Sequence, residues 1–197
     1  MIHISSTNRS DARSTHISDY YVTPINKIEE FLREFSKNES IFYDNNIKIL
    51  DPCAGGDQLH PMSYPQAIRN IGVEAQIDTI DIRQDSLADI KTNYLTYNIQ
   101  ENYQIIITNP PFNIARGIIE KAINDVENNG FVIMLLRLNF LEGKLRKDLW
   151  EKYMPKYIFV HHRRMSFTDK GGMDSIAYAH FVWQKKYEPE FSKIKVI

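Results

Sequence analysis

Only one cysteine, Cys53, stands among the 197 residues. An internal disulfide and a cysteine-based metal cluster are therefore excluded, and a reducing compartment fits. Long apolar runs are also missing: the longest, FVIMLL at residues 131–136, falls far short of the roughly 20 residues a membrane-spanning helix needs. The N-terminus lacks a basic start followed by a hydrophobic stretch, so no secretion signal is expected, and residues 1–16, MIHISSTNRSDARSTH, read as a polar, poorly ordered arm. Neither sign of charge dominates, with a formal net charge of -1. Glycine and proline number only 8 each, so the places where they cluster are informative.

What is present is the composition of a globular protein, 43% hydrophobic and 25% charged, which excludes global disorder. Charge is uneven along the chain. Residues 137–170 hold nine Lys and Arg against four Asp and Glu, a pattern compatible with a polyanionic partner or with solvated helix faces.

Strand-length apolar clusters rich in β-branched residues occur at 46–50, 75–82, 103–108, 130–137, 156–160 and 176–183. Helical spacing fills the gaps at 25–35, 64–71, 85–90, 113–127 and 142–154. Such alternation predicts one α/β unit, a mostly parallel twisted sheet with helices on both faces, over residues 17–197. In that architecture ligands gather at the carboxyl ends of the strands.

Three strand ends carry chemistry. The first runs into ILDPCAGGD, residues 49–57, where an acid followed by paired glycines offers either a tight turn or a close backbone approach to a ligand. The second ends in TIDIRQD, and Asp81 lies at the distance past a glycine turn that suits ribose hydroxyls; otherwise it is an acid at the start of the helix expected over 85–90, a capping role that Asp85 suits better. The third is ITNPPFNIARGI, residues 107–118. Its prolines fix the backbone, so the Asn109 amide and the Pro110 carbonyl are held beside the Phe112 ring. Such a device suits a planar group that donates two hydrogens and stacks, such as the exocyclic amine of a nucleobase.

In that order along the chain, DPCAGG and NPPF resemble the cofactor loop and catalytic motif of S-adenosylmethionine-dependent N6-adenine DNA methyltransferases, most closely small phage or prophage members. DYYVTP, residues 19–24, is similar to the segment that precedes the cofactor loop in members with this motif order. The likeness spans about residues 18–183. It implies a Rossmann-like class I methyltransferase fold and S-adenosylmethionine as cofactor. By the same resemblance Thr23 and Pro24 would close over the methionine end, and Asp51, Pro52, Cys53, Ala54 and Gly55 would flank it. Asp81 and Ile82 would hold the ribose and its surroundings. Asn93 and Tyr94 stand where the family usually has Asp-Phe, and there an Asn carbonyl still accepts from the cofactor's adenine amine while Tyr still stacks. Asn109, Pro110, Pro111 and Phe112 would be catalytic, with no metal required.

RRMSFTDKGGMDS, residues 163–175, resembles a late segment that supplies an aromatic to the target-base pocket. Phe167 would stack on the extruded adenine opposite Phe112, or else pack in the core. Arg163, Arg164 and Lys170 suit backbone phosphates or are surface charges. A separate target-recognition domain, frequent in the family, is not expected here, because only QKKYEPEFSKIKVI follows Trp183. Sequence reading then falls to short loops, a second copy of the chain or a partner subunit. QLHPMSYP, residues 58–65, reads as a cofactor lid, and His60, His161 and His162 as surface or packing residues rather than metal ligands. The expected activity is methyl transfer to N6 of adenine in DNA, with the same chemistry on RNA, or a cofactor-binding pseudoenzyme serving as a nucleic-acid-binding subunit, as alternatives. The expected location is the cytoplasm of a bacterial or phage-infected cell.

Overall fold

The computed structural model describes residues 21–44, 46–167 and 175–197. The expected arm over 1–16, the first two residues of DYYVTP, and Lys170 with the two glycines after it lie outside the described residues.

Eight strands form one sheet: β1 (Ile47–Asp51), β2 (Ala75–Asp81), β3 (Ile90–Lys91), β4 (Tyr103–Thr108), β5 (Val126–Arg137), β6 (Tyr157–Val160), β7 (Tyr178–Gln184) and β8 (Lys193–Val196). Their spatial order is β3-β2-β1-β4-β5-β7-β6-β8. All pairings are parallel except those of β7 with β5 and with β6. The chain builds outward from β1 in one direction and from β4 in the other, so β1 and β4 flank the topological switch point where open α/β sheets bind ligands.

Alternation along the strands divides the core in two. Ile49, Ile105, Ile107, Ile133 and Val182 face helices α1 (Ile25–Ser36) and α2 (Ser63–Asn70). Leu50, Ile106, Val132, Met134 and Phe181 face α3 (Ala115–Asp125) and α4 (Lys147–Lys152). In α1 the buried residues Ile28, Phe31, Leu32 and Phe35 recur at i, i+3, i+4 and i+7, the stripe of a helix laid on a sheet. Each such side chain contributes about 1.5–3 kcal/mol by leaving water.

Three expectations are corrected. Residues 85–90 form no helix: the Asp85 carboxylate pairs with Arg83 instead of capping one, and the chain turns directly into β3. The helix expected over 142–154 is broken into a 3-10 turn, Lys144–Arg146, and the six-residue α4, because Gly143 sits at φ 115, outside helical geometry. The tail after Trp183 adds an edge strand, β8, beside β6. Its alternation sends Lys195 to Glu34 of α1, while Ile194 and Val196 stay exposed, so the segment carries no buried stripe that would betray a strand.

A candidate active-site cleft at the switch point

The ends of β1, β2 and β4 open into a cleft. Its walls include Thr23, Pro52, Cys53, Ala54, Asp81, Ile82, Asn93, Tyr94, Asn109, Pro110, Pro111 and Phe112, twelve of the residues singled out by sequence, from segments far apart in the chain.

The glycine turn is built by its neighbours. Ala54 N–H donates to the Ile80 carbonyl at 3.0 Å and Leu87 N–H to that of Gly55 at 3.2 Å. Gly55 and Gly56 adopt φ of 62 and 75, and a Cβ on Gly56 would lie 2.8 Å from Met62 Cγ, so this close approach requires glycine. Asp81 accepts from Gly55 N–H at 2.8 Å on one oxygen and from Arg83 N–H at 2.8 Å on the other. Besides lining the cleft, it therefore clamps the glycine turn to β2. Asp51 and Gly55 lie beneath the turn and are not among the residues lining the cleft, nor is Pro24, which precedes α1.

Asp51 is buried to 1% exposure; its Oδ1 accepts from Cys53 N–H at 3.2 Å, and its Oδ2 is buried without a hydrogen-bond partner. Burial pushes its pKa up to about 7, opposed by the Thr108 hydroxyl and the Cys53 N–H and helped by the nearby Asp81 charge. The same burial raises the Cys53 pKa well above its ordinary value and keeps it a thiol. Asn93 accepts from Leu95 N–H at 3.0 Å and so starts the 3-10 turn Tyr94–Thr96, while Tyr94 donates to Asp125 at 2.8 Å.

On the opposite wall, Asn109 donates from Nδ2 to Thr23 Oγ1 at 2.9 Å, across 86 residues of sequence. Its Oδ1 is buried and has no partner in the protein. With Nδ2 spent on Thr23, the other end of the amide is left as an acceptor. Phe112 lies under the Arg137 guanidinium, 4.3 Å from its ring centroid, and against Tyr178 at 6.0 Å. Phe167 packs on Tyr178 at 4.9 Å and on Tyr21 at 6.2 Å. It shares an aromatic cluster with Phe112 but is not among the residues lining the cleft, which favours the packing alternative. Arg163 is exposed, and Arg164 donates to the Ser175 carbonyl.

The cleft is also lined by Tyr21, from DYYVTP, by Ser63 and Tyr64, from the stretch 58–65 read as a lid, and by Arg83, Ile114 and Ile118, which were not singled out by sequence. Tyr64 leads to a buried chain. Its hydroxyl lies 3.0 Å from His180 Nε2, and His180 Nδ1 lies 2.8 Å from His161 Nε2. His161, expected to be a surface or packing residue, is 4% exposed, with Nδ1 3.8 Å from Glu30. Burial, with Lys27 adding to it and Glu30 opposing, lowers the His161 pKa to about 4, and burial also drives that of His180 well below its usual value. Both rings are neutral at pH 7, and the chain can run either way: from Tyr64 through His180 to His161, which leaves the His161 Nδ1–H buried without a hydrogen-bond partner, or from His161 through His180 to the Tyr64 oxygen. The signal available in sequence was a histidine at an inward position of the apolar run AYAHFVW.

No family model matches the chain, and no curated protein does. Solved structures do resemble it. A class I S-adenosylmethionine-dependent methyltransferase, so described provisionally, from Listeria monocytogenes aligns over 95% of this chain and 69% of its own, with TM-score 0.66 and 12% identity. A protein from Pyrococcus horikoshii, described provisionally as an RNA methyltransferase, aligns over 85% and 88%, with TM-score 0.64 and 14% identity. The type IIG restriction endonuclease BpuSI aligns over 94% of this chain but only 28% of its own length, with TM-score 0.67 and 13% identity. The fold is that of the Rossmann-like class I methyltransferases.

Proposed function

We propose that the protein uses S-adenosylmethionine to methylate N6 of adenine in DNA. The observation that carries this reading is Asn109: its Nδ2 is tied to Thr23, while the buried Oδ1 is left as a partnerless acceptor beside Pro110 and Phe112. A buried acceptor without a donor costs about 1–3 kcal/mol, so a ligand N–H is the group that relieves it. The donor side of the cleft fits the cofactor. Pro52, Cys53 and Ala54 of the glycine turn and the Asp81 carboxylate line that side, a lining that suits a molecule with ribose hydroxyls.

When bound, S-adenosylmethionine supplies a methyl group on a positively charged sulfur. Asn109 Oδ1 and the Pro110 carbonyl accept the two hydrogens of the target amine, which turns its lone pair out of conjugation and toward the methyl group. Phe112 stacks on the base and is itself backed by Arg137 and Tyr178. The base is flipped or unpaired, because the amine is unreachable inside a stacked duplex. No strong general base is required; the amine proton passes to water after transfer. Catalysis is then mainly positioning, a contribution that reaches about 7–11 kcal/mol in well-oriented reactions. Arg163 and Arg164 sit beyond β6 and suit phosphates of the flanking strand.

Transfer of labelled methyl to matched DNA and RNA oligonucleotides and to protein tests the reading, with Asn109→Ala as control. Expected is N6-methyladenine in DNA, reduced about 10²- to 10³-fold in the variant, as for loss of one preorganised hydrogen-bonding group, with cofactor affinity unchanged. Preferred transfer to RNA supports the alternative acceptor. Equal, negligible transfer by both proteins to every substrate, with cofactor still bound, refutes an enzyme and supports the nucleic-acid-binding subunit.

A further inference from the structure

Arg137 is a cation whose charge the transfer step does not use. It ends β5, opposite Tyr178 in the ladder, and is half-buried there. Its guanidinium lies over the Phe112 ring, 4.3 Å from the centroid. Its Nε is buried and meets no acceptor, and among the described residues no carboxylate pairs with it. Arg163, by contrast, is exposed, and Arg164 is spent on the Ser175 carbonyl. A guanidinium does not lose its proton in a protein, so Arg137 cannot relieve its burial by becoming neutral. The face of one aromatic ring offsets part of that cost. A charge partly withdrawn from water without a counter-ion still favours a ligand that brings one.

Two unsatisfied groups therefore lie by the same ring: Asn109 Oδ1, an acceptor, and Arg137 Nε–H, a donor that carries positive charge. A free adenine answers the first and has no anion for the second. A nucleotide answers both, with an amine on its base and a phosphate on its sugar, and the planar fork of Arg matches phosphate oxygens. We propose that Arg137 binds a phosphate adjoining the target adenosine while backing the ring on which the base stacks, so that the acceptor is taken as part of a polynucleotide and not as a nucleoside. The proposal rests on the reading of Asn109 and Phe112 as the adenine site.

The test uses a single-stranded DNA oligonucleotide that the whole chain methylates, with a neutral methylphosphonate in place of the phosphate on the 5′ or the 3′ side of the target adenosine. Wild type is compared with Arg137→Met, which keeps an unbranched apolar stem, and with Arg137→Lys, which keeps the charge; unchanged S-adenosylmethionine affinity reports that each variant is folded. One of the two replacements should weaken wild-type binding about tenfold, as for loss of a hydrogen bond to a charged group, and should leave Arg137→Met unaffected. For the unmodified strand, the slope of log affinity against log salt should fall by about 0.7 in Arg137→Met and be kept by Arg137→Lys. Equal losses, or none, in wild type and Arg137→Met at both linkages overturn the proposal. Weaker binding by Arg137→Met with an unchanged salt slope also overturns it, because Arg137 then only props Phe112. Transfer to free deoxyadenosine as efficient as to the oligonucleotide does the same. Those results leave the adenine site standing, whereas a wild type that methylates no DNA overturns that reading and this proposal together.

Discussion

Replacing Asp51 with Asn should stabilise the cofactor-free protein, and increasingly so as the pH rises. The carboxyl has a pKa of 3.8 when free and about 7 in the fold, where burial is the main cause. The folded state therefore holds a proton that the unfolded chain has lost between those values. Its stabilising effect is complete below pH 3.8 and is lost as the pH rises through 7. Each unit is worth about 1.36 kcal/mol, so the loss is about 1.6 kcal/mol by pH 5 and about 4 kcal/mol by pH 8. Asn does not titrate, and its side-chain oxygen can still accept the Cys53 N–H. The variant should gain about 3 kcal/mol on wild type between pH 5 and pH 8, or about 6–12 °C in melting temperature for a chain of this size. Urea unfolding of both proteins at the two pH values measures it. A wild-type-to-variant difference that does not change with pH refutes the reasoning. His161 carries the opposite linkage: with a pKa lowered from 6.5 to about 4, its contribution is intact above 6.5 and declines by about 3 kcal/mol as the pH falls toward 4. These two slopes offset each other in wild type, so the acid sensitivity of Asp51→Asn should be the steeper.

Tyr64→Phe keeps the ring in the cleft wall but leaves His180 Nε2 without its hydrogen-bond partner; a loss of about 1–3 kcal/mol in urea unfolding is expected, and an unchanged midpoint would mean the chain carries no net stability. Gly130→Ala places a Cβ 2.7 Å from the Gln104 carbonyl oxygen and 2.8 Å from Val126 Cγ2, where backbone has to yield. About 1–3 kcal/mol should be lost, measurable as a lower melting temperature with cofactor affinity retained.

The parallel sheet was legible because β1, β4 and β5 are short apolar runs separated by amphipathic stretches, and such runs have few alternatives. The switch-point residues were legible for a different reason. Acids, paired glycines and paired prolines directly after strands break every local pattern, and a broken pattern in an otherwise regular chain marks a site. What escaped was tertiary in origin. Residues 85–90 have helical spacing, but the Leu87 N–H is held by the Gly55 carbonyl, a partner that only the folded glycine turn provides. Likewise β8 exists because Ile197 N–H reaches the Val160 carbonyl and Lys193 N–H that of Lys156, partners no local window contains. The pairing of His180 with Tyr64 spans 116 residues and was hidden by the same distance. Phe167 has Tyr21 and Tyr178 as ring neighbours, contacts that no local window of sequence contains.

The reversal of β7 between β5 and β6 has a consequence for where the chain can vary. Because β7 runs against β6, the chain leaves β6 after Val160 and re-enters the sheet at Tyr178, opposite Arg137 at the end of β5. Both stems of that excursion are pinned by ladder hydrogen bonds on the side where Phe112 sits. Lengthening a connection between fixed ends costs only about 0.6 kcal/mol per doubling. New residues can therefore be spliced between 161 and 177 while Asn109, Asp81 and the glycine turn keep their positions. The geometry of the cleft and the length of this connection are thus separately variable.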